Sequence, residues 1–356
     1  MFGSLRLLLA FLVVLSHLVG SAYIQHFGYY AVRAFFVLSG FLMTASLNDV
    51  YKFDLRRFWS NRLLRLLPPY YIACLLTFVA VALVPAQAEA FIGQWRADLL
   101  WRDAITDLVV LPLHHMEPHY RLVPTAWSLA VELEMYLLLF VFAARGRACA
   151  LVCLAWGLLY HAICSYQGLD IGFRYFGAPA AMLPFSLGAL LYFYRKENGF
   201  GVAPCVAVAA LAAWIADAIA VGTILPATYI YGAGYYIDTC LFAVVVAGLV
   251  DANPGALMRS VDRMLGELAY PVFLIQWLAA FVTAMLWMPN QWRGWALTLA
   301  SIPVTLTMAA GLAMLTHTLI EPIRTRIRGR MPASLTSGPP IQAENTTWGA
   351  EPAATR

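Results

Sequence analysis

Charge is what this sequence has least of. Only 12% of its 356 residues are Asp, Glu, Lys or Arg, whereas a soluble domain carries about a quarter. With 62% of residues of hydrophobic type and a mean hydropathy of +0.72, the chain cannot cover itself with polar groups, and lipid is its expected solvent. No run of basic residues interleaved with aromatics occurs, so no nucleic-acid partner is expected. The six cysteines, Cys74, Cys149, Cys153, Cys164, Cys205 and Cys240, form no CxxC pair and lie in or beside apolar stretches. That argues against a metal site and against a disulfide framework. The amino terminus lacks a short apolar core followed by an A-x-A cleavage site, so its first apolar stretch reads as a retained membrane helix. No internal repeat of the inverted-transporter kind is visible.

What is present is a series of long apolar runs broken by Pro, Gly and charge. The criterion of about 20 residues for a spanning helix places them near 5–21, 29–47, 66–84, 125–143, 148–165, 178–194, 203–221, 234–250, 267–287 and 296–318. Ten spans put both termini on one side. If that side is cytoplasmic, seventeen of the Lys and Arg residues fall inside and six outside: Arg33, Arg96, Arg102, Arg121, Arg174 and Arg293. This is the asymmetry that membrane insertion enforces. The expected architecture is therefore an all-α membrane protein, a bundle of about ten transmembrane helices with both termini cytoplasmic. Residues 1–322 would form the membrane domain and 323–356 a basic, then disordered, tail rich in Pro, Ala, Ser, Thr and Gly. Residues 48–65 read as a basic inner loop, and 85–124 as an outer loop with Trp95 and Trp101 at the interface.

Ionisable groups inside a membrane are costly and mark function by default. In "LRLLLAFLVVLSHLVG", eleven residues separate Arg6 from His17. At about 100° each they close three turns to within roughly 20°, so both side chains share one face about 16 Å apart along the axis. The histidine reads equally as a packed polar residue or as chemistry. "FFVLSGFLMT" carries Ser39-Gly40 after Arg33, and its small residues favour close helix approach. In "NRLLRLLPPYY", Arg62 and Arg65 share a helix face at i, i+3. Two guanidinium forks there suit a phosphate-bearing ligand, or equally lipid headgroups. Glu132 sits in the otherwise apolar "TAWSLAVELEMYLLLF", with Glu134 beside it; Asp217, Asp238 and Glu267 lie near span ends, and Glu321 precedes a proline in "HTLIEPIRTRIR". The cluster His114, His115, Glu117, His119 has no established metal-ligand spacing, and no metal is expected.

In order, these motifs resemble the acyltransferase-3 family, integral-membrane acyltransferases that modify bacterial glycans. "LRLLLAFLVVLSH" is similar to its Arg-to-His first helix, "FFVLSGFLMT" to its second, and "NRLLRLLPPYY" to its RxxR segment. "WSLAVELEMYLL", "LGELAYPVFLIQW" and "LIEP" follow in the family's order. The resemblance implies transfer of an acyl group, most often acetyl, from cytoplasmic acetyl-CoA as co-substrate to a hydroxyl of a saccharide or glycolipid. No permanently bound cofactor is implied. Carried over by residue, it nominates His17 as catalytic, with Glu321 and Glu132 as carboxylate partners. Arg6, Arg62 and Arg65 become donor-binding residues, and Ser39 and Arg33 further candidates. The histidine would act as general base on the sugar hydroxyl or carry the acyl group itself. The sequence departs from the family pattern at Gln276, where a histidine is frequent, and at Arg33, where an aspartate is. With no esterase-like domain after the last span, transfer is expected to finish within the membrane domain of an inner-membrane enzyme. The rival reading is a secondary transporter or flippase for a saccharide or an acyl-bearing solute.

Overall fold

The computed structural model describes residues 1–96, 101–111, 121–221, 223–250, 252, 255–289 and 291–328. Among them there is no strand, and thirteen α-helices follow one another. They are α1 (Phe2–Leu18), α2 (Ala22–Ala45), α3 (Leu55–Leu83), the short α4 (Pro85–Phe91) and α5 (Trp101–Val109), α6 (Trp127–Val141) and α7 (Arg147–Tyr166). After the short α8 (Ile171–Tyr175) come α9 (Ala178–Asn198), α10 (Pro204–Ala220), α11 (Ala233–Val250), α12 (Ala256–Trp287) and α13 (Trp295–Arg328). Eight helical stretches are long and apolar enough to cross a membrane, and α1 and α10, each of 17 residues, are shorter apolar helices at two further expected positions. The chain is an integral membrane protein.

Several expected boundaries move. The stretch 48–65 is no loop: after a π-helical turn over Ser46–Tyr51, Asp54 accepts a hydrogen bond from the Arg57 amide at 2.9 Å and starts α3 at Leu55. A capping carboxylate satisfies an amide that the first turn leaves unpaired. Arg62 and Arg65 therefore project from a helix already formed. Likewise α12 starts eleven residues before the expected 267, and the extra turns carry Asp262 to the beginning of α1. There its carboxylate accepts from the Gly3 and Ser4 amides at 3.0 and 2.9 Å and from the Ser4 hydroxyl at 2.7 Å. At the other end of the chain α13 continues past 322 to Arg328, while the tail from 329 and the cluster His114, His115, Glu117, His119 lie outside the described residues.

Burial separates the centre of the bundle from its rim. The helical stretches containing α2 and α12 bury 78% and 72% of their most apolar window, against 28% for α7 and 33% for α13, whose apolar sides are left for lipid. Close approach at the centre depends on glycine. A methyl group on Gly40 would overlap the Phe185 carbonyl of α9, and one on Gly188 the Val37 carbonyl of α2. Gly3 and Gly266 bring α1 and α12 together in the same way. These contacts clamp α2 to α9 and α1 to α12, and α1, α2 and α12 all line the site.

Candidate active site

The central helices enclose two cavities. One, of about 920 Å³ including its open mouth, is lined by Arg6 of α1, Ser39 of α2, Arg62 and Arg65 of α3, and Glu132 and Tyr136 of α6. The other, of about 620 Å³ counted the same way, is lined by Ser16 and His17 of α1, Gln25 and Tyr29 of α2, and Thr125 and Trp127 before and on α6. Val32, Ser128 and Phe273 line both. The shared face of Arg6 and His17 expected from helical arithmetic thus borders both chambers, with the arginine in one and the histidine in the other.

The first chamber has an excess of positive charge. Three guanidinium groups share one carboxylate among its lining side chains, a formal balance of +2. Glu132 accepts hydrogen bonds from the Ser39 hydroxyl at 3.0 Å and from the Tyr136 hydroxyl, so its oxygens are held against α2 and its own helix. Arg62 donates to the Ser46 hydroxyl at 3.1 Å and lies beside the rings of Tyr51 and Phe58. This fixes its stem while its charge borders the cavity. Tyr270, also lining it, donates to the Leu66 carbonyl at 2.9 Å and ties α12 to α3. A low-dielectric pocket with surplus guanidinium is a place for a polyanion, and phosphate oxygens match the guanidinium fork.

In the second chamber His17 meets no carboxylate in its hydrogen bond. Its Nδ1 lies 3.2 Å from Oε1 of Gln276, and its ring stacks on Trp277 with centroids 5.3 Å apart. Arg293 lies over the other part of that wall, 4.8 Å from the Trp277 ring centroid and 4.9 Å from that of Phe91. An imidazole held by one nitrogen and stacked along a face is oriented, and its second nitrogen is left for chemistry.

The nominated residues therefore separate into three groups. Arg6, Arg62, Arg65, Ser39 and Glu132 come together in one chamber, and His17 lines the adjoining one. Arg33 and Glu321 line neither. Arg33 is buried in an ion pair with Asp238 of α11, donates to the Ile230 carbonyl at 3.4 Å and lies between the rings of Tyr30 and Tyr235. Glu321 accepts from Arg324 at 2.6 Å, and Arg324 in turn donates to Asn61 of α3 at 3.0 Å. Sequence reasoning gave Trp277, Tyr136 and Arg293 no role in the site and noted Gln276 only as a departure from the family pattern. Gln276 carried a usable signal, an amide wholly buried in an apolar helix, because such a group requires partners on both its ends.

No solved structure matches this chain. It is similar over 126 residues, at 31% identity, to "O-acetyltransferase OatA" of Staphylococcus aureus, an alignment that covers 31% of this chain and 19% of that protein. It thus spans about a fifth of that relative's length. Over 358 aligned positions it is 24% identical to "Acyltransferase MdmB" of Streptomyces mycarofaciens, with 92% of this chain and 89% of that one covered. The profile of the acyltransferase-3 family, described as "Acyltransferase domain", matches residues 3–314, which contain both chambers. The chain belongs to the acyltransferase-3 family and is an integral membrane protein.

Proposed function

We propose that the protein is an O-acyltransferase of the inner membrane that moves an acyl group, acetyl by preference, from acyl-CoA on the cytoplasmic side to a hydroxyl of a saccharide or glycolipid. One observation carries this reading: a chamber with surplus guanidinium and a chamber holding an oriented imidazole share Val32, Ser128 and Phe273 as a common wall. A donor with phosphates at one end, a long thin arm and a thioester at the other matches that arrangement. Its phosphates would pair with Arg6, Arg62 and Arg65, and its arm would pass the common wall toward His17. Arg6, Arg62 and Arg65 belong to segments that the distribution of Lys and Arg assigns to the cytoplasmic side, which agrees with a donor arriving from there.

His17 supplies the proton acceptor. A saccharide hydroxyl is a poor nucleophile at neutral pH, and a neutral imidazole removes its proton as the oxygen attacks the thioester carbonyl. The new C–O bond forms, the C–S bond breaks from the tetrahedral intermediate, and the proton held on the imidazole passes to the departing thiolate. Glu132, bound to Ser39 and Tyr136 in the other chamber, serves to limit the charge of the arginine cluster.

The test is transfer itself. Membrane vesicles holding the full chain, given acetyl-CoA labelled in the acetyl group and an extract of cell-envelope glycans, should yield label covalently attached to glycan. His17→Ala should lower that rate by about a thousandfold, within the range for loss of a general base, while membrane insertion persists. Unmodified solute crossing the vesicle wall with no covalent label would favour the transporter, and full activity of His17→Ala would remove the histidine from the mechanism.

A further inference from the structure

Gln276 donates through its Nε2 to the Phe273 carbonyl at 2.9 Å, and its Oε1 faces Nδ1 of His17 at 3.2 Å. The two contacts are not interchangeable. A backbone carbonyl can only accept, so the amide NH₂ must lie on the Phe273 side and the amide oxygen on the histidine side. An oxygen acceptor requires a proton on the ring nitrogen that faces it. We infer that Gln276 is a positioning residue that holds His17 as its Nδ1–H tautomer and so leaves the lone pair of Nε2 to receive the acceptor's proton. The inference rests on the proposed role of His17.

Three further features of the site point the same way. Gln276 is wholly buried, so water does not compete for either end of its amide. Thr125, which lines the histidine chamber, also donates to the Phe273 carbonyl at 3.2 Å, so the oxygen that orients the amide is itself held from a second element. Trp277 stacks on the imidazole and resists the ring flip that would exchange its nitrogens. A neutral amide also differs in kind from the carboxylate of a Ser-His-Asp triad: it selects the tautomer yet adds no counter-charge for an imidazolium. Tautomer selection without charge stabilisation favours a base that holds its proton only briefly, long enough to pass it to the leaving thiolate.

The experiment is nitrogen NMR on the full chain in lipid nanodiscs with ¹⁵N-labelled histidine, the His17 signals being those that vanish in His17→Ala. The expected spectrum has a protonated Nδ1 and a bare Nε2; a proton on Nε2 instead would overturn the inference. In Gln276→Leu, close in volume but without an acceptor, the tautomer preference should be lost and kcat should fall roughly tenfold to a hundredfold, as for loss of a group that orients a ligating histidine, with donor KM unchanged. Gln276→Glu keeps an oxygen that accepts from Nδ1, its protonated form donating to the Phe273 carbonyl as the amide does, and should recover the tautomer and most of the turnover. An unaltered spectrum and kcat in the leucine variant would reduce Gln276 to packing. If His17→Ala proves active, the catalytic reading falls while the spectrum still decides the tautomer, so the two failures are distinguishable.

Discussion

Two clusters of buried charge hang on the same helix. Arg33 and Ser39 both belong to α2, six residues or about 9 Å apart along its axis. Around Arg33 the charges are closed off: its guanidinium meets Asp238, with the two side chains 2% and 0% exposed, and aromatic rings complete the shell. A second aspartate nearby, Asp217, accepts from Tyr30 at 2.6 Å and Tyr229 at 2.8 Å. Around Ser39 the charges are left open: three arginines border the chamber with one carboxylate among them. Burial of charge is common to both, and what distinguishes them is whether the cation has a carboxylate of its own within the protein. A cation matched within the protein holds helices together, whereas a surplus of cations at a cavity wall is matched by whatever enters it.

The closed cluster should break hard. Asp238→Ala would leave the Arg33 guanidinium without its carboxylate where water does not reach, and breaking a buried pair from one side costs about 3–5 kcal/mol. Thermal unfolding in detergent should show a large loss of stability, while whatever folds should keep its KM for the acyl donor. Replacing both partners by apolar residues, as in Arg33→Leu with Asp238→Leu, should restore most of that loss, since no uncompensated charge is then buried. A rise in donor KM in the single variant would bring Arg33 into the donor site and collapse the contrast.

The open cluster should respond in the opposite sense. Arg62→Ala or Arg65→Ala removes one of three like charges, so the fold should be no less stable and repulsion is relieved. Donor KM should rise about tenfold to a hundredfold, the equivalent of losing charged hydrogen bonds worth about 1.5–3 kcal/mol. Steady-state kinetics against donor concentration, set beside a melting curve, separates the two clusters in one pair of measurements. Unchanged donor saturation would return the arginine pair to a topological or lipid-binding role.

How far the sequence carries this contrast can be followed residue by residue. The apolar runs locate the helices because hydrocarbon admits few alternatives to a helix that satisfies its own backbone. Arg6 and His17 could be assigned to one face by helical arithmetic alone. The expected loop at 48–65 failed because charge content outweighed a local signal, the capping aspartate Asp54 three residues before Arg57. The separation of Arg33 from Ser39 depends on Asp238, some 200 residues further on, and the meeting of His17 with Gln276 spans 259 positions. Contacts at that range are set by the packing of α1, α2, α11 and α12, which no local periodicity encodes. Gly40 and Gly188 illustrate the same limit: small residues announce that a helix approaches something, and only the fold says what.

Glu321 provides the finest test. The nominated role beside the histidine conflicts with its place near the far end of α13. The amide of Gly294, at the start of that helix, donates to Leu18 at 3.0 Å, next to His17. Glu321 lies 27 residues further along, about 40 Å at 1.5 Å per residue, too far for an imidazole hydrogen bond. What it does is accept from Arg324, which also holds Asn61, the residue before Arg62. Glu321→Gln should therefore cost less than about 1 kcal/mol of stability, as a partly exposed pair does. It should move donor KM by at most a few-fold, through the setting of α3, and leave kcat nearly intact. A loss of turnover as deep as that of His17→Ala would place a carboxylate in the proton path after all, and the division between a balanced scaffold and an open, charge-surplus chamber would have to be redrawn with α13 inside the site.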